Sequence, residues 1–396
     1  MNILFIISTY PNYGGAEKVT TFLANTFAKA QSEVHIASFE QLCPELLDEL
    51  HPEVEFHALS SPARSAKNIT VLRKLIRERK IDFIINQHCL PYYMTKLCNQ
   101  IRKGTDCKLI SVLHGIPNRS KKVLIAEDEL KAAETAWGRW YHRMKLKAIN
   151  EVIKWSIRYT YRKSDQYVLL SELFKDIFCE YARVHDTSKL MAIPNSICIE
   201  TDYETDYVPT KKKQVLYVGR MDVENKRVNR IVEAWEEVYG EFPEWELVLV
   251  GDGPHKPILQ AYVEKQGMER VRFCPFTKEE PVKYYQEAAI LMLTSDMEGF
   301  GMVVTEGMSY GVVPIVYGSY PAIYDIVNNR MSGFITHKPY SKKETVKYLK
   351  LLMGNAKVRE RMARQAIVDS KKFTIEDNIN LWSLLFMKLQ HGRKEN

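Results

Sequence analysis

Short apolar runs alternate with amphipathic stretches along this chain, and the alternation runs through twice. Ile3-Leu4-Phe5-Ile6-Ile7 makes Asn2–Ser8 a continuous apolar run of strand length. A Pro/Gly-containing loop follows, then helical periodicity over Gly14–Gln31. Glu33–Phe39 and Val54–Leu59 read as strands and Ile69–Lys80 as a basic amphipathic helix. Asp82–Asn86, Lys108–Leu113 and Gln166–Leu170 are further strands. Residues 201–213 then have linker composition, with Asp202, Glu204, Asp206, Pro209 and three consecutive lysines. After them the rhythm restarts. Strands at Gln214–Val218, Trp245–Val250, Val271–Phe273, Ile290–Thr294 and Val313–Tyr317 alternate with helices at Val228–Tyr239, His255–Gln266, Val282–Ala288 and Val303–Tyr310. A last amphipathic helix, Ile375–Gln390, follows a Phe-Thr start.

Strands separated by helices imply parallel sheets with helices on both faces. The chain is therefore expected to be α/β, with two Rossmann-like domains whose sheets face a central cleft. The expected division is 1–200, 201–373, and a helix over 374–396 that crosses back to the first domain. The 396 residues suit two domains. Open parallel sheets bind ligands outside the carboxyl ends of their strands, so the chemistry is sought there.

Composition narrows the class. No stretch approaches the roughly 18 uninterrupted apolar residues of a membrane span. The apolar start has no basic residue before it and reads as a buried strand, not a signal peptide. The seven cysteines, 43, 89, 98, 107, 179, 198 and 274, include no CxxC spacing. That argues for reduced thiols, a cytoplasmic setting, and against a structural zinc. The net charge of +7 lies almost wholly in residues 1–200, which hold 28 Lys and Arg against 22 Asp and Glu. So small an excess, with no recognition module, speaks against nucleic acid. Residues 121–163 concentrate it, with 11 basic against 5 acidic residues and six large aromatics, Trp137, Trp140, Tyr141, Trp155, Tyr159 and Tyr161. Two readings stay open there: a peripheral contact with anionic membrane, or a solvated basic face whose aromatics lie in the core.

Three segments carry chemistry. Gly219-Arg220-Met221 follows a strand directly, with Lys226-Arg227 soon after, and fixed cations at a strand end suit a diphosphate. Gly251-Asp252-Gly253-Pro254 follows the next strand and lets backbone approach a ligand closely. It lacks the third glycine of GxGxxG, since Lys256 stands there, which weakens a dehydrogenase reading. In the third, Glu298-Gly299-Phe300-Gly301-Met302 runs into a helix that holds Glu306. Amides at a helix start and the helix dipole favour phosphate. Eight residues along a helix span ~12 Å, more than the roughly 5–9.5 Å between paired hydrolase carboxylates. The two glutamates are expected to grip different parts of one long ligand.

Glu298 to Glu306 resembles the Glu-x7-Glu motif of the retaining glycosyltransferases with the GT-B fold, glycosyltransferase family 4, which includes bacterial lipopolysaccharide and capsular polysaccharide enzymes. Gly14-Gly15-Ala16-Glu17, Leu113-His114-Gly115, Ile193-Pro194-Asn195-Ser196, Val218-Gly219-Arg220, Lys226-Arg227 and Gly251-Asp252-Gly253-Pro254 come in the family's order, over nearly the whole chain. The resemblance implies these roles. Arg220 and Lys226 neutralise the donor diphosphate, with Arg227 beside them. Glu306 accepts the ribose hydroxyls and Glu298 contacts the donor sugar. Amides of Phe300, Gly301 and Met302 hold sugar hydroxyls or phosphate. His114 lies near the sugar ring, and Gly14 and Gly15 let the first loop approach the phosphates. Gly219, Gly251 and Gly253 shape the donor loops. The sequence departs from the family at Cys274-Pro275, where a glycine is common, at the six-residue spacing of Arg220 and Lys226, and at Gly318–Ala322, which is poorer in glycine.

The implied activity is metal-independent, retaining transfer of a hexosyl group from a nucleotide sugar, a UDP-sugar by default. The acceptor is a glycan or a lipid-linked sugar in cell-surface polysaccharide synthesis. No Asp-x-Asp motif is present, no metal is expected, and no cofactor is needed. Two alternatives belong to other classes: a nucleotide-sugar epimerase or hydrolase on the same fold, and a non-catalytic nucleotide-sugar-binding subunit.

Overall fold

The computed structural model describes residues 1–199, 210–275 and 282–391. Asp202, Glu204, Asp206 and Pro209 of the expected linker lie outside them. The chain divides into two compact units, Met1–Pro194 with Ile379–Asn396, and Asn195–Asn378.

The first unit is built on seven strands: β1 (Asn2–Thr9), β2 (Glu33–Glu40), β3 (Val54–Ala58), β4 (Phe83–Asn86), β5 (Lys108–Leu113), β6 (Gln166–Leu169) and β7 (Leu190–Ala192). They lie in the order β3-β2-β1-β4-β5-β6-β7, and every neighbouring pair is parallel. The central runs show no alternation because both of their faces are buried: Ile3 to Ile6 and Phe83 to Ile85 have no exposed surface. Helix Ala66–Glu78 places Leu72, Leu75 and Ile76 against Leu4, Ile6 and Ile84. Its start is fixed by Ser65, whose hydroxyl accepts from the Asn68 N–H at 3.2 Å. On helix Gly15–Lys29, Phe27 meets the chain's last described helix, Ile375–His391. Phe386 of that helix stands 4.6 Å from Phe83 and 5.6 Å from Phe27, centroid to centroid, and Trp382 lies edge-on to Phe27. Each such buried ring contributes about 2–3 kcal/mol.

The second unit has six strands: β8 (Gln214–Val218), β9 (Glu246–Val250), β10 (Val271–Cys274), β11 (Ile290–Leu293), β12 (Val313–Tyr317) and β13 (Phe334–Thr336). Their order is β10-β9-β8-β11-β12-β13, again all parallel. That is the doubly wound order, which reverses between β8 and β11 and leaves a crevice at their carboxyl ends. In the first sheet the reversal falls between β1 and β4.

Several elements differ from the sequence reading. The helical stretch 121–163 is two helices, Lys121–Ala132 and Ala136–Lys163. The break is set by Thr135, whose hydroxyl caps the second helix by accepting from the Gly138 N–H at 3.0 Å. Of its aromatics, Tyr161 is buried, while Trp137, Trp140, Tyr141 and Trp155 are exposed, Trp137 by 73%. The core reading therefore fails for those four. Strands β7 and β13 have only three residues each, and helices Tyr92–Ile101, Phe174–Ala182, Lys342–Gly354 and Ala356–Ser370 add to the elements expected. None of the seven cysteines forms a disulfide among the described residues. No described helix is long and apolar enough to cross a membrane.

Candidate active site

At the carboxyl ends of β8 and β9, two loops are joined backbone to backbone. The Gly219 N–H donates to the Val250 carbonyl at 3.0 Å, and the Met221 N–H to the Asp252 carbonyl at 2.8 Å. Gly251 and Gly253 are required by this seam. Their φ values are +142° and +153°, and a Cβ would lie 1.9 Å from the Gly219 carbonyl oxygen or 2.4 Å from that of Met221. The close approach they permit is between two loops of the protein itself.

The segment after β8 is shaped by Asp222, whose Oδ1 accepts from the N–H groups of Asn225 and Lys226, each at 2.8 Å. This turn presents two adjacent cations to the segment after β11, and the structure separates them. Lys226 Nζ reaches Glu298 Oε1 at 2.6 Å. Arg227, held at φ +52°, turns its Nε to Asp296 Oδ2 at 2.6 Å. Asp296 also receives Arg230 at 2.7 Å, and its N–H donates to the Asn225 carbonyl at 2.8 Å. Arg230 in turn stacks against Tyr317 and Tyr340. Arg227 therefore joins a structural ion-pair network, while Lys226 faces the first glutamate. Arg220 is 64% exposed, with only a loose 3.8 Å approach to Asp222.

Glu298 precedes helix Met302–Ser309, and Gly301 caps that helix with φ +92°. Val304 N–H turns back to the Gly301 carbonyl at 2.8 Å, and the amides ahead of it are the free starts that every helix has. Phe300 is buried edge-on to Phe373, 5.4 Å away, which fixes this turn. Glu306, in the helix's second turn, is buried and accepts from the Tyr285 hydroxyl at 3.0 Å. Beneath Gly301 lies the buried hydroxyl of Tyr320, where a Cβ on the glycine would come within 2.4 Å. That hydroxyl has no partner among the described residues. Burial and the Glu298 charge hold its pKa far above the ordinary tyrosine value. The second unit thus brings Gly219, Arg220, Lys226, Gly251, Gly253, Glu298, Phe300 and Gly301 on loops, and Met302 and Glu306 on the helix that follows, to one end of one sheet.

His114, Gly14 and Gly15 belong to the first unit. His114 follows β5, and its Nε2 lies 2.6 Å from Gln87 Oε1, on the loop after β4. Its Nδ1 and the Gln87 amide nitrogen are enclosed, and neither has a partner among the described residues. Burial of the ring nitrogens, helped by His88 nearby, lowers the His114 pKa to about 4, so the ring is neutral at pH 7. Gly14 has φ −164°, extended backbone open to any residue, and a Cβ there would meet only the Glu17 carboxylate. Gly15 begins helix Gly15–Lys29. Asp222, Asp296, Tyr285, Tyr320 and Gln87 were not singled out from the sequence. Only Asp222 carried a readable signal, an acidic residue three places before the Asn225 turn.

Comparison with known proteins agrees with this architecture. Residues 13–201 match the family model for Glycosyltransferase Family 4, and residues 200–369 match that for Glycosyl transferases group 1. A lipopolysaccharide 1,6-galactosyltransferase of Salmonella typhimurium is 24% identical over 346 residues, 84% of each chain. The GalNAc-alpha-(1->4)-GalNAc-alpha-(1->3)-diNAcBac-PP-undecaprenol alpha-1,4-N-acetyl-D-galactosaminyltransferase of Campylobacter jejuni is 24% identical over 411 residues, 99% of this chain and 100% of that one. Among solved structures, Anabaena HepE in complex with UDP and glucose superposes with a TM-score of 0.72 at 16% identity, covering 99% of this chain and 100% of its own. Two doubly wound units, each matched by its own glycosyltransferase model, make this chain a glycosyltransferase with the GT-B fold, family 4 in type.

Proposed function

We propose that the protein moves a hexosyl group from a UDP-sugar to a glycan or lipid-linked acceptor of cell-surface polysaccharide synthesis, with retention at the anomeric carbon and without a metal ion. The observation that carries this reading is the Lys226–Glu298 pair, 2.6 Å apart beside the switch point of the second sheet. The exposed Arg220 precedes Lys226 on the same loop, and the helix start at Gly301 follows Glu298. Breaking the sugar–phosphate bond builds negative charge on the diphosphate and positive charge on the sugar. Arg220, Lys226 and the helix-start amides stabilise the first. An incoming diphosphate competes with Glu298 for Lys226, and the released carboxylate turns to the sugar. Buried Glu306 accepts the ribose hydroxyls.

Retention follows from front-face attack. The acceptor oxygen bonds to the anomeric carbon on the side from which the diphosphate leaves, and a donor phosphate oxygen takes the acceptor's proton. No side chain then serves as general base. His114 of the first unit is neutral, with its Nε2 held by Gln87 Oε1. The UDP and glucose bound by HepE and the undecaprenol-linked acceptor in the Campylobacter relative's name support the substrate classes. A thermal-shift screen of nucleotide sugars, then transfer assays of wild type and Glu298→Gln, tests the reading. A UDP-sugar should stabilise the protein, transfer should persist in EDTA, and the variant should lose at least about a hundredfold, the scale of one preorganised electrostatic contact. Full activity of Glu298→Gln, or strict dependence on Mn²⁺, would overturn the respective part.

We also propose that the protein works at the cytoplasmic face of an anionic membrane, docked through helix Ala136–Lys163. Trp137, Tyr141, Met144, Val152, Trp155 and Tyr159 recur at steps of four, three, eight, three and four residues and share one face. The first five are exposed. The helix carries eight Lys and Arg against one Glu. Co-sedimentation should favour vesicles with phosphatidylglycerol over neutral ones, and Trp137→Ala with Trp140→Ala should reduce it. Equal binding to both vesicle types would reject this surface.

A further inference from the structure

A second constellation lies at the edge of the first sheet. β3 is the edge strand, and its register with β2 pairs His35 with Glu55 and Ala37 with His57. Side chains two apart on a strand share a face, and directly opposed partners are in contact. Glu33, His35, Glu55 and His57 therefore cluster on one face of the two strands, over the first half of β2 and the length of β3.

Their distances are specific. His35 Nδ1 lies 3.1 Å from His57 Nε2 and 3.4 Å from Glu55 Oε2, and His57 Nε2 lies 3.7 Å from Glu55 Oε1. Ligand atoms bound tetrahedrally at about 2.0–2.2 Å from one zinc ion stand about 3.3–3.6 Å apart. The three donor separations, 3.1, 3.4 and 3.7 Å, lie within about 0.2 Å of that range. The other nitrogen of His35, Nε2, lies 3.1 Å from Glu33 Oε1. A carboxylate behind a histidine fixes the tautomer that leaves the opposite nitrogen free for metal. Arg79, at the end of helix Ala66–Glu78, braces both carboxylates, at 3.1 Å from Glu55 and 3.4 Å from Glu33. His35 is 1% exposed while Glu55 is 47% exposed, so the cluster is rigid on one side and open to solvent on the other. None of these residues takes part in the proposed transfer.

We propose that His35 Nδ1, His57 Nε2 and the Glu55 carboxylate bind one divalent transition-metal ion, zinc by the nature of the ligands, with water completing the tetrahedron and Glu33 orienting His35. Two imidazoles and one carboxylate suit zinc over calcium or magnesium, which prefer oxygen. The ion ties edge strand β3 to β2. It needs no cysteine, so the scattered thiols that argued against a structural zinc do not bear on it.

The test uses the full-length protein stripped with EDTA and dialysed, then titrated with Zn²⁺ alone against a chromogenic chelator, with thermal melts in parallel. Wild type should bind one equivalent and melt higher with zinc. His57→Ala, at the solvent side of the cluster, should lower the affinity at least about a hundredfold, and Glu33→Gln about 10–100-fold, as for partners behind a metal ligand. Circular dichroism confirms that each variant folds, and Glu55→Gln substitutes for one that does not. UDP binding serves as a control and should be unchanged. Absence of stoichiometric zinc binding by wild type, or wild-type affinity in His57→Ala and Glu55→Gln, would overturn the assignment.

Discussion

Replacing Gly251 by alanine tests the loop seam directly. The new Cβ would sit 1.9 Å from the Gly219 carbonyl oxygen, where ordinary contact begins at 3.4 Å. The two backbones must therefore part by about 1.5 Å. That displacement strains the bonds from Gly219 to Val250 and from Met221 to Asp252. Forcing alanine to φ +142° costs about 1–3 kcal/mol, and the overlap about 1–3 more. A total near 4 kcal/mol lowers the melting temperature of a unit of this size by about 8–16 °C. The control is Gly267→Ala in the same unit. It has φ +63° and no atom within 4 Å of the added carbon, so only the left-handed backbone opposes it, at about 1–2 kcal/mol. Calorimetry on both variants gives the comparison. Equal losses would mean that the seam is not the reason for glycine at 251.

Three further outcomes are expected. Lys226→Ala should cut transfer and UDP-sugar affinity with little change in melting temperature, while Arg227→Ala, which breaks the Asp296 network, should destabilise the unit; the reverse pattern would reject the division of labour between them. Tyr320→Phe should weaken UDP-sugar binding several-fold without loss of stability, because its orphan hydroxyl lies at the helix start; unchanged affinity in calorimetric titration would remove it from the site. His114 has a folded pKa near 4 and an ordinary value of 6.5, so below pH 6.5 the unfolded chain takes a proton that the folded chain refuses. Stability is then full above 6.5 and falls toward pH 4 by at most about 3 kcal/mol. Denaturation curves of wild type and His114→Asn between pH 7.5 and 4.5 should converge or cross, and parallel curves would refute the buried neutral ring.

The strands that form the two sheet centres were legible because an apolar run buried on both faces looks the same in sequence and in space. β7 and β13 were not, since three residues are too few to show a period. Helices Lys342–Gly354 and Ala356–Ser370 bury Tyr348, Leu349, Leu352, Met362, Ala363, Ala366 and Ile367 at three- and four-residue steps, a pattern that could have been read. At the site, the sequence placed Lys226 and Arg227 side by side but held nothing that assigns one to Glu298 and the other to Asp296. That choice depends on the left-handed turn at Arg227. Gly251 and Gly253 read as openings for a ligand, and only the pairing of β8 with β9 shows that another loop lies against them. Tyr320 and Gln87 were invisible because an orphan polar atom is a property of the packed interior.

The helix Ile375–His391 sets an order of assembly during synthesis. Its Trp382 and Phe386 complete the hydrophobic face formed by Phe27 and Phe83, so the first unit is finished by residues made only after the whole second unit. At roughly 5–20 residues per second, some 190 residues of translation separate the two, about 10–40 s. During that interval the second unit emerges whole while the first still exposes Phe27 and Phe83. Ribosome-bound chains ending before Trp382 are therefore the species most open to chaperones and to aggregation, and the first unit closes only once this helix has been made.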